Sequence, residues 1–459
     1  MPPPDTFASA TARRWFLGVL FLVSMLNYTD RVIFFMMVDD IKVDLGLSDF
    51  EIGLAGGISF ALFQTLLGLP LARLAERRSR TTIIAVCTGF WSLMTAACGL
   101  ATNFAQLMIG RMGVGIGEAA FLPAASSLLG DAFRADRRGG AMSILQLGSP
   151  VSAIFAALLT VFVAGTFGWR VAFFVAGLPG LLVMILVWRL REPERGKADG
   201  VVEEAVPSLL DVLLALLRRR SFLFVALAAL LVTMGMHGIS NFLAAYYGRT
   251  FGLSTGQAAM MYGFINAFAL GCSMMIAGFG MDWAGRLDRR WHAWIPAAGV
   301  LLSAIFYAIA FSRDSMVSTG FFVMLGGLTQ FFFYVPTLTM VQNMVGPRMR
   351  ASAIAIISVI TGLIGGGAGP ALTGVLSDRF AVAAFDHARG AFHAVCPNGV
   401  AAEGSSPALV EACTRAAASG LQGAFLVLCG LFALSAVFYF LAAGFVERDA
   451  FSAERGNGA

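Results

Sequence analysis

Runs of roughly 20 apolar residues, each long enough to cross a ~30 Å hydrocarbon core as a helix, recur from near residue 15 to near residue 445. A chain built this way folds as an all-α membrane protein. With 58% hydrophobic and 13% charged residues, against about 25% charged in soluble domains, no length remains for a sizeable soluble domain. The start, MPPPDTFASATARR, is polar. The run behind it, from Trp15 to Val38, is longer than a signal-peptide core and has no small-residue cleavage pattern after it, so it reads as an uncleaved first span.

Twelve such segments can be drawn, the first near 15–38 and the last near 420–445, in two sets of six. The expected division is an N-terminal six-helix bundle over 1–190, a linker over 191–220 and a C-terminal bundle over 221–459. The linker ends as a short amphipathic helix: Ser208 and Asp211 form a capping box, and Arg218 to Arg220 complement its carboxyl end. A net charge of +5 could suggest nucleic acid. The Lys and Arg, however, flank apolar spans in short loops, mostly on the side of the N-terminus, which is the topological bias of a multi-pass inner (plasma) membrane protein with both termini cytoplasmic. The first outer loop, DDIKVDLGLSD, is acidic, in keeping with that orientation.

Of the six cysteines, Cys87, Cys98, Cys272 and Cys429 fall in apolar spans and read as small buried hydrophobes. Cys396 and Cys413 lie in the polar segment 381–420, and could form a disulfide if that loop faces an oxidising compartment.

One loop pattern occurs twice. Ala72, Glu76, Arg77, Ser79 and Arg80 follow the second segment; Gly278, Asp282, Gly285 and Arg286 follow the eighth at matching spacing. The chain therefore reads as a duplicated six-helix unit, whose binding site is expected near the midplane between repeats. Glu76 and Asp282, beside Arg77, Arg80 and Arg286, can form charge-assisted bonds that close an inner gate. Loops shaped only by topology would not require an acid at the same place in both halves.

The repeated loop resembles the signature of the major facilitator superfamily, with Ala72, Glu76 and Ser79 departing from its usual Gly, Asp and Gly. RMGVGIGEAA in the fourth segment is similar to the superfamily's Arg followed by Gly-x-Gly, and its ending resembles the spinster branch. Further spinster-like stretches are NYTDR, LREPERG, DRRWHAWIP and PRMRASAIAIISVITGLIGGGAGPALTGVLSD, so that the resemblance covers nearly the whole chain. It implies two pseudo-repeated six-helix bundles and alternating access. Gly365, Gly369 and Pro370 look like the superfamily's antiporter motif and invite a kink or close packing. That motif normally sits in the fifth span, so no antiport follows from it.

Three ionisable residues stand inside spans. Asp30 is about 24 Å from the inner end of the first helix, and Arg111 about 12 Å below the outer end of the fourth, with Glu118 about 10 Å deeper. Arg111 leans toward the level of Asp30 and away from Glu118, so Arg111 is the expected partner of Asp30, and Glu118 the competing acid. Gly113 and Gly117 would let the fourth helix approach a neighbour closely. Such a cluster either pins two helices together or lines a substrate path, and the second is the usual use of charges this deep. Two acids facing one base suggest that Asp30 or Glu118 takes a proton, freeing Arg111 to hold an anionic group. The spinster resemblance implies the same roles. Arg31 points about 100° away from Asp30. It could snorkel to headgroups or meet an anionic substrate head.

Asn27, His237 and Asn241 are candidate cavity residues, and Asn266, Gln330 and Asn343 add polar groups that also serve as interhelical glue. His292, His387 and His393 fall in loops, no metal-ligand spacing is present, and no GxxxxGK[ST] supports an ATP-driven pump. The expectation is a monomeric, proton-coupled secondary carrier of an amphipathic lipid such as a lysophospholipid or sphingoid phosphate, with no metal or organic cofactor and no enzymatic activity. The alternative is the same fold moving organic anions or drugs.

Overall fold

The computed structural model describes residues 10–133, 135–193, 209–284, 290–346, 349–385, 391–402 and 404–449. They are mostly helical, with no strand among the described residues. Eleven helices are long and apolar enough to cross a membrane. The eighth segment forms a further helix, Thr255–Ala284, of 30 residues, part of whose side chains lie outside the described residues. In chain order the spans are numbered 1 to 12.

The chain divides into two compact units. The first comprises Met1–Leu47, Leu54–Glu203 and Gly252–Ala267; the second comprises Ser48–Gly53, Glu204–Phe251 and Phe268–Ala459. The expected bundles over 1–190 and 221–459 thus differ from these units by the short segments at the starts of spans 2 and 8.

In the first unit, span 4 (Phe104–Ala132) is wedged between its neighbours by three glycines on different sides. Helices in lipid have no hydrophobic drive toward one another, so close backbone approach carries the packing. A Cβ on Gly117 would lie 2.6 Å from that of Trp91 on span 3 (Arg80–Cys98), Gly113 meets Met94 of the same helix, and a Cβ on Gly115 would strike the Phe60 carbonyl of span 2 (Asp49–Ala75). Gly113 and Gly117 therefore draw span 4 to span 3, not to span 1 (Thr11–Met36). Trp91 is fully buried in the core this creates, with Val114 and Phe121. Span 4 breaks at Ala119 and Ala120, directly after Glu118, because Pro123 has no N–H to give the Ala119 carbonyl.

Among the described residues three spans depart from α geometry in π turns: Leu54–Ile58 in span 2, Thr160–Ala164 in span 5 (Gly140–Phe167) and Ile360–Gly366 in span 11 (Ser352–Ala384). Each has a hydroxyl bonded back to loosened or nearby carbonyls. Ser59 Oγ donates to Ala55 O at 2.6 Å and Leu54 O at 2.9 Å, Thr160 to Ala156 O at 2.9 Å and Thr361 to Ile357 O at 2.9 Å. In span 11 the cause is local, since Pro370 leaves the Gly366 carbonyl without its usual donor. Gly365 and Gly369 of that stretch pack against Thr233 and the Met234 carbonyl of span 7 (Arg220–Phe251).

In the second unit the start of span 2, Asp49–Gly53, docks on span 11. A Cβ on Gly53 would collide with the Pro370 carbonyl, and one on Gly374 with the backbone of Asp49. The segment after span 11 forms a small cap. Ala381, Phe385, Phe392, Cys396, Cys413 and Ala416 make its core, and Cys396 and Cys413 are joined in a disulfide across Cα atoms 5.6 Å apart. The bridge closes a loop with a sequence separation of 17, which in the chain-entropy picture is worth about 3 kcal/mol. Reduction, or Cys396→Ser, is expected to make residues 391–402 readily cleaved by protease while spans 1 to 10 keep their protection; equal resistance with and without reductant would show that the cap stands without its bridge.

Candidate functional site

Four charged side chains meet in the first unit. Asp30, Arg111 and Glu118 are buried, and Asn27 with them. The Arg31 side chain is about one third exposed, at 32%. Its Nη2 lies 2.6 Å from Glu118 Oε2 and its Nε donates to the same oxygen at 2.7 Å. Nη2 also donates to Asn27 Oδ1 at 3.3 Å. The expectation that Arg31 could snorkel to headgroups is therefore corrected. The 100° step that turns Arg31 away from Asp30 aims it at Glu118.

Arg111 and Asp30 come together, but not as a side-chain pair. Arg111 Nη1 donates to the Asp30 main-chain carbonyl at 3.1 Å, and its guanidinium carbon lies 4.8 Å from the Phe34 ring centroid and 5.4 Å from that of Phe60. These ring faces supply a cation with electrostatic attraction in a site that water does not reach. Phe60 is shared: the Arg31 guanidinium sits 4.9 Å from the same centroid, and 5.5 Å from that of Tyr28. The balance is thus two acids to two bases, not two to one.

The cluster is not saturated. Asp30 Oδ1, Glu118 Oε1, Asn27 Nδ2 and Arg111 Nε and Nη2 are buried polar atoms without a hydrogen-bond partner among the described residues. Buried polar groups are paired in the great majority of cases, and each exception calls for a reason, a functional role among them. The Thr95 hydroxyl of span 3 stands beside Asp30 but makes no hydrogen bond of proper geometry. An arginine with two open donors and a carboxylate with an open acceptor can respectively receive an anion and a proton.

The profile of the Major Facilitator Superfamily matches residues 20–370. The chain belongs to that superfamily. Relatives of this superfamily member include an MFS-type efflux pump of Mycolicibacterium smegmatis, 29% identical over 79% of this chain and 84% of that protein. The sphingosine-1-phosphate transporter SPNS2 of Mus musculus is 27% identical over 79% of this chain and 69% of the relative. Among solved structures, a bacterial homolog of the human lysosomal transporter spinster, in an inward-facing, unoccupied conformation, superposes with a TM-score of 0.83. It shares 28% identity and covers 97% of this chain and 100% of its own. The protein is thus a multi-pass membrane transporter of that superfamily, similar in sequence and fold to spinster proteins.

For this superfamily member the loop expected to form an inner gate gives a partial picture. Arg286 lies outside the described residues, as do the side chains of Glu76 and Asp282. Arg77 is exposed, whereas Arg80 is buried in an extensive network. Its Nε donates to Glu192 Oε1 at 2.9 Å, its Nη1 to Ser127 Oγ at 2.9 Å and to Asp131, and its Nη2 to the Pro193 carbonyl at 2.9 Å. Burial alone would push the Glu192 carboxyl up; hydrogen bonds from Ser79 and from the Arg80 backbone and guanidinium outweigh it and hold the group below its ordinary value. Neither Asp131 nor Glu192 is among the residues expected from sequence. The signal for Glu192 lay in the spinster-like LREPERG.

His237 and Asn241 belong to the second unit and are half-buried. His237 Nδ1 lies 2.9 Å from the Thr233 carbonyl one turn back. Gln330 accepts from Tyr307 at 2.9 Å and Asn266 donates to Tyr262 at 2.7 Å, both interhelical or intrahelical glue. A group that no sequence pattern singles out is the buried Asp49. It takes two bonds from Arg249, at 2.7 and 2.8 Å, and one from Ser377 at 2.7 Å. Asp378 accepts the backbone N–H groups of Asp49 and Phe50 at 3.3 and 3.1 Å, capping the helix start. Among the described residues no group of His, Cys, Asp and Glu could hold a metal ion.

Proposed function

We propose that this transporter moves an amphipathic lipid with an anionic head, of the lysophospholipid or sphingoid-phosphate class, coupled to the proton state of the Asp30 cluster. The observation that carries the reading is the open valence of that cluster. Arg31 satisfies one oxygen of Glu118, while a carboxylate oxygen of Asp30 and two donors of Arg111 stay without partners. Asp30 is the proton carrier, because a buried carboxylate with one oxygen left without a hydrogen-bond donor gains from binding a proton. Arginine stays charged throughout, so Arg111 holds the anionic head while Asp30 is neutral. Release of the proton restores the carboxylate beside it and weakens that hold. The orientation has both termini cytoplasmic in the inner membrane, and the disulfide cap then faces the oxidising side. The carrier works as a monomer with protons as its only coupling ion.

A second reading, export of drug-like amphiphiles by the same cluster, is favoured by the efflux-pump relative. Reconstitution in liposomes separates the two. Labelled lysolipid should be transported faster with an imposed pH gradient, and Asp30→Asn should remove that acceleration while leaving gradient-free exchange measurable. Glu118→Gln should slow both. If neither substitution changes the pH response, the coupling role of the cluster is wrong; if drug-like cations are moved and lysolipids neither move nor compete, the second reading replaces the first.

A further inference from the structure

The linker helix before span 7, Leu209–Leu217, has an occupied face and an unoccupied one. Val212 and Leu216, one turn apart, are fully buried against the Arg350–Val359 and Arg220–Phe251 helices of the same unit. Leu210, Leu214 and Leu217 are spaced to share another face, and they are 62%, 47% and 44% exposed. A helix amphipathic by the usual rule would carry polar groups there. Asp211 alone is acidic.

The residues on the carboxyl side of this helix identify the occupant of the leucine face. After a turn at Arg218 and Arg219, span 7 begins directly at Arg220, and Leu223 and Leu227 are again exposed, at 47% and 39%. The bare leucine face therefore runs into the lipid-facing surface of a membrane span. Arg219 is tied to the Asp449 carbonyl, but Arg218, Arg220 and Arg350 are exposed at the same end of the unit. An apolar helix face ending in cations is the arrangement that lies in a bilayer interface, with the leucines among acyl chains and the cations at phosphate level.

We propose that Leu209–Leu217 is an interfacial helix whose leucines sit in the leaflet at the start of span 7 and whose flanking Arg218, Arg220 and Arg350 bind anionic phospholipid headgroups. The linker is then a lipid-reading element as well as a tether, independent of the substrate site.

Hydrogen exchange of the full chain, one copy per nanodisc, tests this. Amides of 209–217 should exchange more slowly in phosphatidylcholine discs containing phosphatidylglycerol than in phosphatidylcholine alone. Each basic residue near an anionic leaflet strengthens membrane attachment about fivefold, which bounds the effect per arginine. Arg218→Gln with Arg220→Gln should shrink the difference between the lipids; Leu210→Ser with Leu214→Ser should speed exchange in both, with the other spans unchanged. Equal exchange in the two lipids for the unmodified protein overturns the headgroup site. Protection that appears only when two copies share a disc overturns the lipid and makes a second chain the occupant.

Discussion

Replacing Arg31 by methionine should destabilise the first unit by about 2–3 kcal/mol, and adding Glu118→Gln to the same chain should recover most of the loss. Removing one member of a buried ion pair leaves the other as an uncompensated charge, at about 3–5 kcal/mol. The lower figure is used because Arg31 is one third exposed while Glu118 is fully buried at its side chain. Phe60 and Tyr28 also lose a cation, which adds a smaller amount of about 0.5–1 kcal/mol at a partly wet site. Thermal unfolding in detergent, compared over wild type, both single variants and the double, gives the coupling directly. Additive losses would mean that the 2.6 Å contact does not hold span 1 to span 4. Arg111→Met with Asp30→Asn is the comparison: Arg111 bonds the Asp30 main-chain carbonyl and acts on its carboxylate through space, so their coupling should be smaller than that of Arg31 and Glu118, which are in direct contact.

The other large effect belongs to Asp49. Asp49→Ala should cost about 3–5 kcal/mol, because Arg249 loses a bidentate partner in a site where the two side chains are 8% and 2% exposed. Ser377 loses its acceptor as well. Asp49→Asn keeps the shape and one acceptor oxygen, so it should fall between wild type and alanine. The damage should appear at one place in hydrogen exchange. Residues 48–53, whose helix start at Asp49 and Phe50 is capped by Asp378, should lose protection first, while the cap around Cys396 and Cys413 keeps its own. Uniform loosening of the second unit would instead mean that Asp49 supports the whole unit and not the docked segment alone.

Arg31 and Asp49 also mark how far the sequence is legible. Apolar run lengths are enough to place the spans, because the bilayer fixes the length and the backbone must be satisfied within each helix. Asp30, Arg111 and Glu118 stand out because charge inside an apolar run is conspicuous. Their pairing does not, since Arg31 has an alternative route to headgroups and depth alone favours Arg111 for Asp30. A rotation of a fraction of a turn, and two phenylalanine faces that hold the Arg111 guanidinium, decide the matter, and neither leaves a mark in spacing. Asp49 sits in an acidic loop where its charge reads as topology; only its partners, some 200 and 328 positions away in sequence, show otherwise. Pro123 and Pro370 announce the break in span 4 and the irregular turn in span 11. No comparable residue announces the turn at Leu54–Ile58.

Those π turns have an evolutionary meaning. A turn that holds five residues per hydrogen-bonded step stores a residue that a regular helix would not need. Deleting one residue from Leu54–Ile58, Thr160–Ala164 or Ile360–Gly366 would let the backbone close into an α ladder without breaking the span. Everywhere else in these helices the same deletion turns every later side chain by about 100°. Spans 2, 5 and 11 are therefore where this lineage can gain or lose single residues, and length differences inside the spans of related proteins should fall at these turns.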